Sequence, residues 1–558
     1  MNEKEQDKKN NQFLIQKTPE HLLPNFPPSL VPKYEFSSTL REQKEQLKVN
    51  PLIKRFTKSR KRLAGNKYRP FYHFVSPEGT MNDPNGLCFW QGKWHLFYQA
   101  SLPEDGRIHW GHAVSEDLIH WRDLPYAIYP SPEESCYSGS TLVENGRVIA
   151  MYHGTRIGSM VATSSDPLLL NWHKLTGKPA IPMAGSGDKE YDRWHSPDGS
   201  RLPYYVHDAC IWKKEGIYYS LTGGRLPNGP GGKPIRANFL FRSRGLVDWE
   251  YLHPFVEGDC FTLIGDDGAC PYFWPIGNRY ILFFYSHMSG GQALLGDYDK
   301  KRDKFIVSEH YRFNYGASTP GGVHAPSAFP DGKGGIIVIF NMNPAIMSDL
   351  RAPHLGQIMT LPRRITLVDK NELKIEPVET AQSLRYNHQH LENIGIPANQ
   401  EVVLEEVKGN SMEFIAEIDP LDTPMIEFNV LRSPNREEFT RITFFPKRGY
   451  RNRGHRKDGP PYGLVSIDSS YSSLDTDVKS RAPEIASVLL QEEESLKLHV
   501  FLDRSVLEVF INDKQCLAIR VYPSREDSTG ISLRSQGRNA RLISLDAWQM
   551  RGIYSKKY

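Results

Sequence analysis

The chain has 558 residues, of which 39% are hydrophobic and 24% are charged, with a formal net charge of +4. This length exceeds one ordinary hydrophobic core and predicts at least two domains. The small net charge argues against a nucleic-acid-binding protein and against a protein that binds anionic membranes. No segment reaches the roughly 20 apolar residues that a membrane-spanning helix needs.

The N-terminal residues MNEKEQDKKNNQ lack the apolar stretch of a signal peptide, which predicts a cytoplasmic protein. A secreted or periplasmic location stays open if an export signal lies outside this sequence. Residues 1–66 are polar and interrupted by prolines, as in NFPPSLVP at 25–32. They are expected to form an N-terminal extension that wraps the surface or is partly disordered.

Five segments share one plan, in which a strand, a glycine-bearing turn and a second apolar strand follow each other. These segments are 87–100, 141–154, 209–223, 271–287 and 327–341. Each is typical of a β-hairpin. Self-similar units built only of strands predict a propeller, and five hairpins predict five blades over residues 67–370. The helical periodicity of an α/β fold is not found between them.

A second motif follows three of the hairpins and ends on a tryptophan in the same frame. The three tryptophans are Trp121, Trp172 and Trp249. They are expected to pack between blades. After a predicted linker at 371–400, alternating segments such as MEFIAEI and RITFFP predict sandwich strands over 401–558. The predicted fold is therefore all-β, a five-bladed β-propeller followed by a C-terminal β-sandwich.

Two acidic residues precede the opening strands of different hairpins. Asp83 lies in MNDPNG before the first hairpin, and Asp208 lies in VHDACIW before the third. Asx-Pro and Asn-Gly are turn formers, so an ordinary surface turn is the simpler interpretation of MNDPNG. Innermost propeller strands start near the central axis, however, and would bring both carboxylates into one funnel. Such convergence is unfavourable unless it is used, which favours a functional site.

The stretch YRPFYHFVSPEGTMNDPNGLCFW, followed by FYQ, HWGHAVSEDLIHW and YSGS, resembles glycoside hydrolase family 32. That family contains invertases, inulinases, levanases and other β-fructofuranosidases. LKLHVFLDRSVLEVFINDKQCLAIRVYP at 496–523 and ISLRS at 531–535 extend the resemblance into the C-terminal part. The resemblance covers about residues 67–550. It implies a propeller that carries the chemistry and a sandwich that packs against it.

The resemblance implies a retaining mechanism with two carboxyl groups at the scissile bond. Asp83 is then the nucleophile. Asp208 matches the aspartate of the family's Arg-Asp-Pro motif, which stabilises the transition state, although the motif here is His207-Asp208-Ala209. Positions that match the family's sugar site form the expected substrate-binding set: Asn82, Asn85, Gln99, Trp110, Tyr137, Ser138 and His207.

The acid/base position departs from the family pattern. The family has Glu-Cys-Pro, whereas this chain has GDDGACPYFWPIG at 265–277, so the glutamate falls on Ala269. General acid catalysis typically contributes about 10² to 10⁴ in rate. Asp267 is the predicted proton donor, and Asp266 and Glu257 are further candidates. Three more interpretations stay open: a donor elsewhere in the chain, a donor supplied by the substrate, and a loss of activity.

The function that the sequence favours is a glycosidase that cleaves terminal β-fructofuranosyl or related linkages. No metal or organic cofactor is implied, because two carboxylates and water suffice. The expected partner is an oligo- or polysaccharide, without nucleic acid or membrane, and the expected assembly is a monomer or homodimer. The competing functional hypotheses are a catalytically impaired carbohydrate-binding propeller, a fructosyltransferase, and a glycosidase of altered specificity.

Overall fold

The structure is a computed structural model that describes residues 25–183, 203–226, 229–347, 356–446, 462–491 and 494–554. The first 24 residues of the expected N-terminal extension lie outside this set. Within these ranges, none of the helices combines the length and the apolar character that crossing a membrane requires.

Two helices form in the N-terminal extension, α1 (Leu40–Val49) and α2 (Pro51–Leu63). Thr39 caps α1 by accepting from a backbone N–H of its first turn. Asn50 caps α2 by accepting from two backbone N–H groups, and proline follows it at the first helical position, where its missing N–H has no cost. The lysine- and arginine-rich run at 54–62 is therefore helical.

The N-terminal extension packs on the outside of the first blades. Phe56 of α2 is only 1% exposed and joins the largest apolar cluster of the molecule. Arg60 of the same helix donates to both oxygens of Asp123, one of them at 2.6 Å. Gln43 of α1 donates to Asp166 at 2.7 Å. Residues 25–63 thus contribute to the packing of the propeller.

The first blade is an antiparallel sheet of four strands. They are β1 (Thr80–Trp90), β2 (Lys93–Leu102), β3 (Asp105–Ser115) and β4 (Arg122–Ile128). Almost every residue of β2 is buried, because a blade is covered on both faces by its neighbours.

The second and third blades share one pairing between their inner strands. The second consists of β5 (Cys136–Glu144), β6 (Arg147–Gly154), β7 (Gly158–Ser164), β8 (His173–Lys174) and β9 (Ile181–Pro182). The next strands are β10 (Ala209–Lys214), β11 (Ile217–Thr222), β12 (Arg225–Leu226), β13 (Ile235–Arg236), β14 (Phe239–Ser243) and β15 (Trp249–Pro254). Strands β10, β11, β14 and β15 form the third blade, and β12 pairs with β13, which follows a short 3-10 turn at Pro230–Gly232. Gly139 pairs in parallel with Ala209 where the two blades meet.

The fourth and fifth blades complete the propeller. The fourth contains β16 (Val256–Glu257), β17 (Ala269–Ile276), β18 (Arg279–Ser286), β19 (Gly290–Asp299) and β20 (Lys304–Arg312). The fifth contains β21 (Val323–Pro330), β22 (Ile336–Met342), β23 (Ile358–Met359), β24 (Arg363–Asp369) and β25 (Glu372–Pro377). The five hairpins of the sequence are the inner strand pairs of the five blades.

The repeated tryptophan motif forms the same turn in three blades. A leucine three residues before each tryptophan has a positive φ of 70°, 51° or 70°, at Leu118, Leu169 and Leu246. The indoles of Trp172 and Trp249 donate to the carbonyl oxygens of these leucines at 2.8 and 2.9 Å. All three tryptophans are buried. The repeat is therefore a structural device that anchors the outer strand of a blade.

The C-terminal domain is a sandwich of two six-stranded sheets. Its strands are β26 (Arg385–Ile396), β27 (Glu401–Lys408), β28 (Ser411–Asp419), β29 (Met425–Arg432), β30 (Thr440–Phe445), β31 (Tyr462–Asp468), β32 (Glu484–Leu489), β33 (Leu496–Asp503), β34 (Val506–Ile511), β35 (Gln515–Arg520), β36 (Gly530–Gln536) and β37 (Ala540–Met550). One sheet has the order β26-β37-β28-β33-β34-β35, and the other β27-β36-β29-β30-β31-β32. Phe414 and Phe428 stack between the sheets with ring centroids 5.1 Å apart.

The expected linker at 371–400 contributes strands to both domains. Strand β25 is the outer strand of the fifth blade, and β26 is an edge strand of the sandwich. The connection between them is short and contains a 3-10 helix at Glu379–Leu384. Strand β26 is exposed along most of its length, so its sequence lacks the alternation that marks a half-buried strand.

A buried charge cluster joins the two domains. Asp503 accepts from the backbone N–H groups of residues 71–73 and from Nδ1 of His73, at 2.6 to 2.9 Å. Glu508 lies 3.1 Å from Nε2 of His73 and accepts from Arg363 at 2.9 Å. Burial would lower the pKa of His73, but these hydrogen bonds raise it to about 9. The LDRSVLEVF segment is therefore an interdomain joint.

Candidate active site

The inner strands of the five blades form a closed ring around the propeller axis. The contacts run from β1 to β5, β10, β17 and β21 and back to β1. Within β1, MNDPNG is an irregular strand with two register shifts, at 81/84 and 85/88. Its turn-forming residues build these bulges, which redirect side chains toward the axis. This accounts for a Pro and an Asn-Gly pair inside a strand.

Asp83 is 7% exposed and is held by side chains from three blades. Its Oδ2 accepts from Ser138 Oγ at 2.6 Å and from Gln99 Nε2 at 3.1 Å. Its Oδ1 lies 2.9 Å from Nδ1 of His324. The structure thus joins Asp83, Gln99 and Ser138, three residues that the sequence places in the site.

Asp208 approaches Asp83 across a single thiol. Its Oδ2 accepts from the backbone N–H and the thiol of Cys270 at 2.9 and 3.2 Å, and the same sulfur lies 3.7 Å from Oδ2 of Asp83. Burial and both carboxylates raise the pKa of the Cys270 thiol well above its ordinary value, so the sulfur keeps its proton. The two predicted catalytic carboxylates, from different blades, therefore converge on one cup.

His207 faces Asp208 from the preceding position, with Nε2 at 3.1 Å from Oδ2. Burial alone would raise the pKa of Asp208, but the charge and hydrogen bond of His207 hold it well below its usual range. The His207 ring stacks with those of His153 and Tyr205 at 5.7 and 6.3 Å. Its orientation toward Asp208 is thereby fixed, and Asp208 is a carboxylate at neutral pH.

A chain of amides supports the nucleophile candidate. Asn341 donates to Asn82 at 3.0 Å, and Asn82 donates to Gln99 at 3.3 Å. Gln99 in turn donates to Asp83 and to Ser138, the latter at 2.7 Å. Tyr137 stands at the rim and is 37% exposed. Tyr137 supplies an aromatic edge to the site. The amides and Ser138 are polar partners of the kind that sugar hydroxyls need.

Two residues of the expected sugar shell lie beneath the cup instead. Asn85 and Trp110 have no exposed surface, so neither side chain is accessible to a sugar in the cup. The Trp110 indole donates to the carbonyl oxygen of Tyr137 at 2.9 Å. Asn85, with its amide oriented to satisfy its neighbours, accepts from the same indole at 3.3 Å. Their role is to position the floor of the site.

The candidates for the proton donor occupy very different environments. Ala269 is 1% exposed. Asp266 is fully buried, accepts from Ser286 and Ser289 and lies 3.4 Å from Arg236. This carboxylate is a structural anchor.

Glu257 lies far from the cup, at the outer edge of the fourth blade. It is exposed and forms an ion pair with Arg302 at 3.1 Å. Glu257 cannot reach the axis from this position, and Asp266 is buried and hydrogen-bonded to two serines. Neither of them can deliver a proton to the cup.

Asp267 reaches the site, but as a carboxylate. Its Oδ2 lies 2.7 Å from Nδ1 of His287 and 3.6 Å from Arg225. Burial would raise the pKa of Asp267, but the hydrogen bond from His287 and the neighbouring positive charges lower it. A group that is ionised at neutral pH has no proton to donate, which argues against the expected role of Asp267 as the acid.

Sequence reasoning did not nominate His287 or His324, which also face the cup. His324 is the second residue of the inner strand of the fifth blade, and the shared strand register aligns it with Asn82 of the first blade. His287 follows β18, where the second strand of the fourth hairpin returns to the axis, as Gln99 does in the first hairpin and Asn341 in the fifth. A comparison of second-strand ends across the hairpins would have pointed to His287, and a comparison of first-strand starts would have pointed to His324.

No group of three or more His, Cys, Asp or Glu side chains that could hold a metal ion occurs in the described ranges. All six cysteines are free thiols.

Two family models match the chain. The model of the glycosyl hydrolases family 32 N-terminal domain matches residues 73–377, and the model of the glycosyl hydrolases family 32 C terminal matches residues 379–549. The boundary between the two matches falls in the short connection between β25 and β26.

Similar proteins include a sucrose-6-phosphate hydrolase of Zymomonas mobilis and a levanase of Bacillus subtilis. The first is 26% identical over 519 residues, which cover 85% of this chain and 90% of the hydrolase. The second is 25% identical over 529 residues, which cover 87% of this chain and 71% of the levanase.

Solved structures with the same fold include fructan 1-exohydrolase IIa from Cichorium intybus in complex with 1-kestose. It superimposes with a TM-score of 0.73 at 22% identity, and the match covers 87% of this chain and 98% of that one. The sucrose-6-phosphate hydrolase from Lactobacillus gasseri superimposes with a TM-score of 0.68 at 20% identity, over 90% of this chain and 96% of that one.

Proposed function

The chain belongs to glycosyl hydrolase family 32 and is a glycosidase, and on that premise we propose that it cleaves terminal β-fructofuranosyl linkages through Asp83 and Asp208. The observation that carries this proposal is the convergence of the two carboxylates, each in contact with the Cys270 thiol. Two proteins of similar sequence, a sucrose-6-phosphate hydrolase and a levanase, support a fructoside as the substrate.

Asp83 is the nucleophile in this proposal. One of its oxygens attacks the anomeric carbon of the fructosyl unit and forms a covalent ester, which water then hydrolyses with overall retention of configuration. The hydrogen bonds from Ser138 and Gln99 fix the direction of the carboxylate before the substrate arrives. Such positioning lowers the entropic cost of the attack.

Asp208 stabilises the transition state without forming a bond. The anomeric carbon gains positive charge as the leaving group departs, and an anionic carboxylate with little water around it stabilises that charge. Asp208 is 3% exposed and is kept ionised by His207. The same carboxylate can accept hydrogen bonds from hydroxyl groups of the sugar.

The cup is closed at its base, which favours removal of an end unit over cleavage inside a polymer. Tyr272 crosses the axis below the carboxylates, donates to the Gly139 carbonyl at 2.9 Å and accepts from the Gly86 N–H at 3.1 Å. Its ring is buried. A polymer cannot pass through this floor, so the terminal ring enters and the remaining units stay outside.

The Asp83→Asn variant tests the mechanism. We expect kcat/KM for the release of fructose from sucrose, sucrose 6-phosphate, inulin or levan to fall by at least about 10⁴, as when other catalytic nucleophiles are removed. Asp422→Asn, an exposed aspartate of the sandwich domain, is the matched control and should retain wild-type activity. Circular dichroism should show both variants folded. Undiminished hydrolysis by Asp83→Asn would exclude the proposed mechanism.

A further inference from the structure

We propose that His287 is the general acid and base of this chain, in the role that the family motif gives to the glutamate replaced here by Ala269. The inference rests on the proposed function, because it names the proton donor for the same fructosyl transfer.

The backbone register places His287 next to the substituted position. Strands β17 and β18 are antiparallel, and Ala269 pairs with Tyr285. Two residues further toward the cup, Asp267 and His287 face each other, and the His287 N–H lies 3.3 Å from Asp267 Oδ1. A titratable side chain just after the neighbouring strand therefore lies two residues beyond the residue that pairs with the position of the missing glutamate.

The imidazole of His287 lies beside the two histidines that contact the carboxylates. Its ring lies 6.4 Å from the His207 ring and 6.2 Å from the His324 ring, nearly perpendicular to both. His207 contacts Asp208, and His324 contacts Asp83. The His287 side chain is 53% exposed, whereas the carboxylates below it are almost covered. The leaving group of a bound fructoside passes this point.

Asp267 orients the ring for proton transfer. The carboxylate is ionised, so the 2.7 Å contact requires a proton on Nδ1 of His287 and leaves Nε2 as the nitrogen that can gain or lose one. Among the described residues, no hydrogen bond occupies this Nε2. The arrangement is a histidine–aspartate pair with one unoccupied ring nitrogen, in a ring that lies beside those of His207 and His324.

The surrounding charges favour the protonated ring. The hydrogen bond to Asp267 raises the pKa of His287 above its ordinary value, against the effect of burial, and the charges of Asp208 and Asp83 act in the same direction. Among the residues that the structure describes, the titratable and charged groups that face His287 are Asp267, Asp208, Asp83, His207, His324, Arg225 and Tyr285. The acid form is thus available near neutral pH.

The neighbouring groups are engaged elsewhere. His207 and His324 each direct a ring nitrogen at a carboxylate that the reaction needs as an anion. The Tyr285 hydroxyl is hydrogen-bonded to Ser318 at 2.7 Å, and burial raises its pKa. Among the histidines beside the cup that the structure describes, His287 is the exposed one, and its Nε2 has no hydrogen-bond partner in these residues.

With these groups, protons and electrons balance over the two steps of the reaction. Asp83 forms a bond to the anomeric carbon while the glycosidic C–O bond breaks, and its electron pair goes to the leaving oxygen, which takes the proton from Nε2. In the second step water attacks the same carbon, Nε2 takes a proton from the water, and the ester bond breaks to restore the Asp83 carboxylate. Both the imidazolium and the free carboxylate are regenerated.

His287→Gln tests the assignment with two substrates that differ in leaving group. With sucrose, kcat/KM should fall by about 10² to 10⁴, the usual contribution of a general acid. With 4-nitrophenyl β-D-fructofuranoside, whose phenolate departs without a proton, kcat/KM should stay within about tenfold of the wild type. The alkaline limb of the pH profile for sucrose should disappear in the variant.

His120→Gln is the matched control. His120 and Asp117 form a pair with the same 2.7 Å Nδ1–Oδ2 distance in a turn of the first blade, outside the cup. This variant should keep wild-type kinetics and the alkaline limb with both substrates. Thermal unfolding compares the folding of the two variants.

The results distinguish a failure of the His287 assignment from a failure of the proposed function. Unchanged sucrose hydrolysis by His287→Gln, or an equal loss with both substrates, overturns the assignment of His287. If Asp83→Asn is inactive in the same assays, the proposed function stands despite that result. A wild-type protein that releases no fructose from any fructoside overturns the proposed function and the assignment together.

Discussion

At the axis of the propeller, the protonation of Asp267 and His287 determines which group can act as the acid. The Asp267 carboxyl is close enough to the cup to be an acid, yet its contact with His287 Nδ1 makes it an anion. The same contact defines which nitrogen of His287 is free. Asp267 is thus a positioning residue whose effect on catalysis passes through the imidazole.

Asp267→Asn should move the alkaline limb of kcat/KM for sucrose to lower pH, by about one unit, because an opposite charge at this distance shifts a pKa by that order. The reaction needs protonated His287, so activity falls as pH rises through the pKa of His287. Loss of the carboxylate lowers that pKa and the fall begins earlier. In Asp267→Glu, the alkaline limb should return close to its wild-type pH. A limb that stays in place in Asp267→Asn would contradict this account.

Among the helices and strands, α2 is a polar segment that nevertheless packs one apolar face against the propeller core. Helix α2 carries a basic run, but Leu52 and Phe56 are four residues apart on one face and are both buried. The Phe56 ring lies 6.1 Å from that of Tyr126 in the first blade. The helix is held by this apolar contact and by the Arg60–Asp123 ion pair.

Phe56→Ala should destabilise the docked helices by about 3–5 kcal/mol, the usual cost of removing a buried aromatic ring. Limited proteolysis should then cleave within residues 40–63 faster than in the wild type. Lys61→Ala, an exposed change in the same helix, should alter the unfolding free energy by no more than about 0.5 kcal/mol. Equal protease resistance of Phe56→Ala and the wild type would show that α2 is not held by this contact.

At the scale of the whole molecule, the propeller and the sandwich are joined through ionised groups without access to water. His73, Asp503, Glu508 and Arg363 are all fully buried. Breaking such a cluster on one side leaves an uncompensated charge, which is strongly destabilising. The two domains are therefore expected to unfold in a coupled manner.

The thermal midpoint should fall as pH rises from about 6.5 to about 9, the interval between the ordinary pKa of histidine and that of His73 in the folded protein. The folded-state pKa is raised, so the stabilisation is fully present below the unfolded pKa and is lost through the folded one. His73→Gln should lack this component of the pH dependence. Calorimetric scans of both proteins across this interval provide the measurement, and parallel curves would exclude the joint as the cause.

Local patterns were sufficient to predict the fold and the two carboxylates. Strand alternation, glycine-bearing turns and the repeated tryptophan are properties of neighbouring residues. Five blades, a sandwich and the starts of the inner strands that carry Asp83 and Asp208 could therefore be predicted without the structure. Exposure and pairing depend on side chains from other blades. Local patterns could therefore not predict that Asn85 and Trp110 lie beneath the cup, that β25 and β26 occupy the expected linker, or that Asp267 is paired with His287. Burial and pKa arise from groups brought together by folding, and no local pattern records which groups those are.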